Sequence, residues 1–370
     1  MLKGIKKIVG SFYDPTTVLS YMENGERFCA MVVGSRSIGK STSWAAALIL
    51  DYIQRGSRWV YIRGGQGSRD AIDRTAPDFF DTAAQIMRDA GYDVPSIKYK
   101  AGTYYWGDGD AAEVCGYAIP LISAQKYKSV VLSTKAHPVR WMLVDECISE
   151  DNRYLSDEGG RLQRLFVTLS RYQGCPYNDD LKLILLANNV SSLGNPYYTL
   201  LGADRYVGRD DARIIAPRGA WWCLQYVGAD EVAATKDARK SHSYMIADAT
   251  YKRQAFENVA AGGDEFIGKY TGPQTPLFDF AFDGKIFSVW AVIGKDAGKG
   301  AFDFYIRPGA CTTSTHYAIT LEDHTPCTDF LRIAKGSPYV VAVSRAYDAG
   351  RVLFYDRAGR YAFDFWMNYI

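Results

Sequence analysis

Residues 34–41 read GSRSIGKS, which matches G-x-x-x-x-G-K-[ST] at every fixed position. In such a loop, backbone N–H groups cradle phosphates, the lysine reaches the β and γ phosphates, and the hydroxyl takes Mg²⁺. Gly34, Ser35, Arg36, Ser37, Ile38, Gly39, Lys40, Ser41 and Thr42 are therefore expected to bind ATP, with Ser41 also a metal ligand. The loop only works between a buried strand and a helix, and the flanks comply. Residues 27–33 (RFCAMVV) are an apolar run, and residues 42–53 (TSWAAALILDYI) are rich in Ala and Leu. The alternation continues with strands expected at 58–63 (RWVYIR), 140–145 (RWMLVD) and 181–187, and helices at 78–90 and near 160–172. Residues 97–123 read as a hairpin or meander turned at Gly102 and Gly107. Continuous apolar strands alternating with helices predict a mostly parallel sheet covered on both faces.

Phosphate chemistry also needs a carboxylate on a neighbouring strand. WMLVDE places Asp145 and Glu146 where an apolar strand ends. Asp145 is expected to hold Mg²⁺, and Glu146 to orient or deprotonate the attacking water, which favours ATP hydrolysis over small-molecule kinase chemistry. Without the loop, such a pair reads equally as a helix cap or a surface charge. Asn188, at the polar end of the next strand, either senses the γ-phosphate or starts the turn toward Gly194-Asn195-Pro196.

A chain of 370 residues has room for two or three domains. A net charge of +2 does not announce nucleic-acid binding, so any DNA contact is a local arrangement. Seven cysteines, an odd number without a CxxC pair, read as buried thiols in a reducing compartment. Neither a signal peptide nor the ~18 apolar residues of a membrane span occurs, so the expected location is cytoplasmic, with no membrane partner.

After Tyr198 the pattern is irregular, and residues 229–258 are polar and helix-prone, with Lys236, Arg239, Lys240, Lys252 and Arg253. Beyond Gly262-Gly263 the chain is β-rich, with a hairpin at Asp283-Gly284 and strand-like stretches at 301–307, 339–343 and 351–355. An amphipathic helix near 357–369 completes a β-then-α plan. Candidate nuclease acids are Asp279, Asp283, Asp303, Glu322 and Asp323, but no pair sits on the inward side of a first strand. Tyr270, Lys285, Lys295, Lys299, Arg307 and Lys335 are candidates for touching phosphate. Arg69 and Arg74, in an expected loop after Gly64-Gly65, are better ones.

These motifs together resemble the DNA-packaging ATPases of phi-29-like phages, relatives of the large terminase subunits. The resemblance rests on GSRSIGKS, WVYIR, GYAIPLIS, the Gln125-Lys126-Tyr127-Lys128-Ser129 stretch, LVDE and ILLANNVSSLGNPYY, in that order. It continues through EFIG, GKIFSVWAV, HYAITLED and the last segment. It implies three parts: an α/β P-loop ATPase domain with a mostly parallel sheet (1–228), a small helical linker domain (229–264) and a degenerate β-rich RNase-H-like C-terminal domain (265–370). Lys40, Ser41, Asp145 and Glu146 keep their roles under the resemblance. Arg171 falls where the family's arginine finger would lie, with Arg164 competing, and Lys128 matches a lysine acting across the subunit boundary. The implied partners are double-stranded DNA, a capsid portal, packaging RNA and copies of the chain itself in a homo-oligomeric ring, a pentamer. The implied location is the host cytoplasm, transiently the portal vertex. Two other readings remain: a large terminase with an active metal-dependent nuclease, and a non-motor nucleotide-binding assembly switch. The stretch after the acidic pair, CISEDN, lacks basic residues that the relative carries there.

Overall fold

The computed structural model describes residues 2–23, 26–35, 38–65, 67–127, 132–148, 154–171, 180–188, 195–203, 206, 214–228, 232, 240, 245–246, 266–282, 284–292, 295–296, 300–311, 316–318, 321, 323–325, 329–330 and 336–367. They belong to two compact units. The first draws on 1–190, 195–201 and 209–261, the second on 262–370 with the short stretches 191–194 and 202–208.

In the first unit, α1 (Ile5–Val9) and α2 (Thr16–Glu23) precede β1 (Cys29–Gly34), whose six residues are all buried. The loop leads into α3 (Lys40–Arg55), then β2 (Arg58–Arg63), α4 (Ser68–Thr75) and α5 (Asp81–Asp89). The meander is β3 (Ile97–Lys100), β4 (Thr103–Trp106) and β5 (Glu113–Pro120). There follow β6 (Val139–Asp145), α6 (Glu158–Leu169), β7 (Lys182–Asn188), α7 (Pro196–Leu201), β8 (Ile214–Ile215) and β9 (Trp222–Val227). They form one sheet in the order β3-β4-β5-β2-β6-β7-β1-β9-β8. From β5 to β9 every pairing is parallel, and only the meander and β8 run antiparallel.

The apolar runs explain this layout. Strands buried on both faces carry no alternation, and β1, β6 and β7 have almost none. α3 packs Trp44, Leu48 and Ile49 into the core beneath Trp141 and Trp59. Each such burial contributes about 1.5–3 kcal/mol. One buried polar contact in this core is satisfied: Trp141 Nε1 donates to Asp51 at 2.8 Å, and Arg55 approaches the same carboxylate at 3.5 Å.

Two elements differ from expectation. Residues 68–75 are a helix, so Arg69 and Arg74 do not lie on a loop; the segment is polar, with Ile72 its one large apolar residue buried, and it lacks the stripe that announces a helix. Arg69 donates to Ser123 Oγ at 3.1 Å, and Arg74 Nε to the Asp70 carbonyl at 3.2 Å. The irregular region after Tyr198 contains β9, which adds in parallel to β1.

The second unit has a sheet of β10 (Gln274–Phe282), β11 (Lys285–Val292), β14 (Phe304–Pro308), β15 (His316–Ala318), β16 (Asp329–Phe330) and β17 (Val352–Phe354), beside a small pair, β12 (Lys295–Asp296) and β13 (Gly300–Ala301). Its order is β16-β15-β10-β11-β14-β17. β10, β11 and β14 are antiparallel neighbours, and the flanking strands join in parallel. α8 (Pro338–Asp348) and α9 (Arg357–Met367) supply Val340, Val343, Phe363 and Trp366 to a core shared with Phe278, Phe280 and Phe287. The strand expected at 339–343 is therefore a helix. Pro338 stands at its first turn, and Val340, Val343 and Ala346 recur at helical spacing, which outweighs the β propensity of YVVAV.

The expected linker at 229–264 lies almost wholly outside the described residues, as do Asp283, Lys299, Glu322 and Lys335. Five cysteines, Cys29, Cys115, Cys147, Cys223 and Cys311, are buried free thiols. Among the described residues no helix is long and apolar enough to cross a membrane.

Candidate nucleotide site

In the sheet, β2, β6, β7 and β1 are successive neighbours, and parallel pairing brings their C-terminal ends to one edge. Arg63 stands opposite Asp145, and Gly34 opposite Asn188. Four strand ends thus deliver a cation, a carboxylate, an amide and the start of the phosphate loop to one place. Ligands of open parallel sheets bind at such an edge.

The loop is held from behind by the segment before α2. Tyr13 N–H donates to the Ile38 carbonyl at 2.9 Å, and Phe12 lies against Gly39. Gly39 has φ +79°, and a Cβ there would come within 2.5 Å of the Phe12 ring, so only glycine serves. Lys40 opens α3 and is buried. Its Nζ donates to the carbonyls of Gly34 (2.9 Å) and Ser35 (2.8 Å) and to Asn188 Oδ1 (3.3 Å). The Ser35 hydroxyl is buried with no hydrogen-bond partner among the described residues. Thr42 follows on the first turn, half-buried.

The acidic pair meets the loop directly. Ser41 Oγ donates to Asp145 Oδ1 at 2.8 Å. Arg63 Nη1 donates to Asp145 Oδ2 at 3.1 Å, and its Nη2 to Glu146 Oε2. Burial pushes the Asp145 carboxyl above the usual carboxylate range, opposed by the Arg63 charge and the Ser41 hydrogen bond. Glu146 has φ +53°, a left-handed conformation costing about 1–3 kcal/mol in a non-glycine residue. Just beyond it, Cys147 N–H donates to the Leu186 carbonyl at 2.8 Å and holds the chain against β7. The kink leaves the Glu146 side chain half-exposed beside buried Asp145.

These donors fit a hard divalent cation: a hydroxyl and a carboxylate oxygen already in mutual contact, with a lysine and a backbone loop beside them for phosphate. The structure brings together Gly34, Ser35, Ile38, Gly39, Lys40, Ser41, Asp145, Glu146 and Asn188. Arg36, Ser37 and Lys128 lie outside the described residues. Arg171 is not at this site. It is exposed, just past the far end of α6. Arg164 is tied to Asp157 at 2.8 Å on the protein surface. Arg63 is a further residue of the site, and its signal in the sequence is a basic residue closing RWVYIR, one strand from LVDE.

In the second unit, Asp279 sits buried at mid-β10. Its Oδ1 accepts from Cys311 N–H at 2.7 Å, and His316 Nδ1 lies 3.1 Å from Oδ2. Asp303 pairs with Arg351 at 3.0 Å, and Asp323 accepts from Gly284 N–H at 2.8 Å. Among the described residues, no three His, Cys, Asp or Glu side chains converge as a metal site.

The fold is shared with known assemblies. The bacteriophage Phi-29 viral genome packaging motor assembly is 22% identical, with TM-score 0.58, over 95% of this chain and 97% of the other. The Phi-28 gp11 DNA packaging motor is 17% identical, with TM-score 0.54, over 96% and 97%. The N-terminal domain of the DNA packaging ATPase from bacteriophage phi29 is 25% identical, with TM-score 0.45, over 58% of this chain and 96% of that domain. No curated protein matches the chain. The model of the podovirus DNA encapsidation protein (Gp16) family matches residues 8–366, nearly the whole length. The chain belongs to that family, whose members serve the ATP-driven encapsidation of phage DNA, and this chain does the same.

Proposed function

We propose that the chain is one subunit of a homomeric ring that moves double-stranded DNA through a capsid portal, hydrolysing ATP between neighbouring subunits. The observation that carries this reading is the 2.8 Å hydrogen bond from Ser41 to Asp145, which joins the phosphate loop to the acidic pair. In the proposed reaction Lys40 and the loop N–H groups bind the phosphates, and Ser41 and Asp145 hold Mg²⁺. When bound, the ion supplies charge neutralisation at the transferring phosphoryl group. Glu146 takes the proton of the attacking water, and Asn188, in reach of Lys40, reports loss of the γ-phosphate to β7. Arg171 and Lys128 act from the neighbouring subunit. Residues 229–264 link the motor to an RNase-H-like C-terminal domain, a plan supported by its antiparallel core strands, parallel flanks and two covering helices. Partners are the portal, copies of the chain in a pentamer, and packaging RNA, with the motor working at the portal vertex in the host cytoplasm.

The test is Glu146→Gln with ATP and DNA, which should bind nucleotide but not turn it over. Normal turnover in that variant sinks the proposal. DNA-stimulated hydrolysis by the unaltered chain separates a motor from an assembly switch. One observation speaks against the nuclease reading: Asp279 Oδ1 is already engaged by the Cys311 N–H at 2.7 Å. Nicking of DNA with Mg²⁺ or Mn²⁺ that vanishes in Asp279→Asn would restore it.

A further inference from the structure

α6 begins with a buried carboxylate, Glu158, whose hydrogen bonds join the start of its own helix to two other segments. Gly65 N–H donates to both oxygens, at 3.0 and 3.1 Å. Leu155 N–H donates to Oε2 at 2.6 Å, and the Tyr197 hydroxyl to Oε1 at 2.6 Å. Each segment follows, in the chain, a strand that ends at the nucleotide site. Gly65 follows Arg63 of β2, Leu155 follows Asp145 and Glu146 of β6, and Tyr197 follows Asn188 of β7.

The backbone is cleared for this arrangement. A Cβ on Gly64 would lie 2.4 Å from both Glu158 Oε1 and the Tyr197 hydroxyl oxygen, and one on Gly159 would lie 3.0 Å from the Pro196 carbonyl. A second tie joins the segment entering α6 to the segment that carries Tyr197. Asn195 Nδ2 donates to the Tyr154 hydroxyl at 2.8 Å, while Asn195 Oδ1 accepts from Tyr197 N–H (2.8 Å) and Tyr198 N–H (3.3 Å). A buried charge is expensive, and a helix start can be capped by an ordinary serine on the surface. A carboxylate placed here, at the positive end of a helix and saturated with donors, acts instead as a rigid clamp on everything it bonds.

We propose that Glu158 is a positioning residue for ATP hydrolysis. It locks the continuations of β2, β6 and β7 together, so that Arg63, the Asp145–Glu146 pair and Asn188 address the phosphates as one unit. The inference rests on the catalytic role proposed for Glu146. Glu158 itself touches no reacting atom.

The experiment is steady-state ATP hydrolysis by the full chain, alone and with DNA. Glu158→Gln exchanges one acceptor oxygen for an amide that faces a donor, and should lower kcat about tenfold while KM for ATP stays within about twofold. Tyr197→Phe removes a single hydroxyl; it should lower kcat in the same direction by a smaller factor without loss of folded protein, and it carries the test should Glu158→Gln fail to fold. In an Arg63→Ala background, either substitution should add less than about half of its own effect on log kcat, because residues acting through one unit are not additive. Full additivity overturns the proposal, as does a raised KM at unchanged kcat, or a lowered melting temperature with unchanged kcat per folded chain. Failure of the underlying reading is separately visible: Glu146→Gln would then turn over ATP normally in the same assay.

Discussion

Removing the Arg63 side chain tests the geometry of the acidic pair directly. Arg63 Nη1 lies 3.1 Å from Asp145 Oδ2, and the side chains are 14% and 10% exposed. At an effective dielectric of about 20 their gross attraction is about 5 kcal/mol. Much of that is offset by the cost of having drawn the guanidinium out of water. What Arg63→Ala leaves behind is a buried carboxylate with the Ser41 hydroxyl as its remaining hydrogen-bond partner at the site. Breaking such a pair costs about 3–5 kcal/mol when the survivor is left bare, and about 2–3 kcal/mol with one partner retained. The second contact, to half-exposed Glu146, is screened by solvent and adds under about 1 kcal/mol. A unit of this size loses about 2–4 °C of melting temperature per kcal/mol, so the first melting transition should fall by about 4–12 °C. Arg63→Lys should recover only part of the loss, because one ammonium cannot satisfy two carboxylates with the planar fork of a guanidinium. Circular-dichroism melts of the three proteins make the measurement. The reasoning is refuted if Arg63→Ala melts with the unaltered chain, or if lysine restores the whole difference.

Gly39→Ala should cost about 1–3 kcal/mol and weaken ATP binding, since φ is +79° and the new methyl meets Phe12; unchanged affinity in a nucleotide titration would contradict the packing. Asn188→Ala should lower kcat about tenfold with KM within about twofold; if neither moves, Asn188 merely starts a turn. Asp279→Asn should destabilise the second unit by about 1–3 kcal/mol while leaving ATP turnover intact, read by a melt and a hydrolysis assay together. Mixing Lys40→Ala with Arg171→Ala should restore turnover that neither supports alone. Strictly averaged activity in the mixture would remove Arg171 from any action between subunits.

Local signals carried the first unit as far as each segment could speak for itself. CAMVVG, RWVYIR, RWMLVD and KLILLAN are buried on both faces, so their composition alone declares them strands. α4 was illegible because little of SRDAIDRT is buried, and β9 because a single short strand far along the chain shows its place only when it pairs with β1. α8 misled because Val340 and Val343 favour either element, and tertiary packing on Phe278 and Phe280 decides between them. The site divides in the same way. Lys40 and Ser41 lie inside a contiguous motif. Arg63 and Asp145 are 82 residues apart and meet only through the β2–β6 register.

The direction of α6 decides what one chain can do alone. Its first residue, Glu158, bonds Gly65 at the edge where β2 ends beside the nucleotide loop. Near its last turn, Phe166 packs against Phe28, with ring centroids 5.5 Å apart, and Phe28 immediately precedes β1. The helix therefore runs across the sheet from the phosphate edge to the opposite edge, about 18 Å for twelve residues. Arg171 emerges at that opposite edge, about a full strand length from the loop that leads into Lys40. No side-chain rotamer brings its guanidinium back to the phosphates of the same chain. Among the described residues, Arg63 is the arginine that stands at the site, and its fork is already engaged by Asp145 and Glu146. For the Arg63 guanidinium to stabilise charge growing on the γ-phosphoryl oxygens it must leave that engagement; a guanidinium from another subunit need not. In the ring proposed above, an exposed Arg171 at the far edge would take the second route where that edge of one subunit meets the nucleotide edge of the next, and the mixture of Lys40→Ala with Arg171→Ala tests that arrangement.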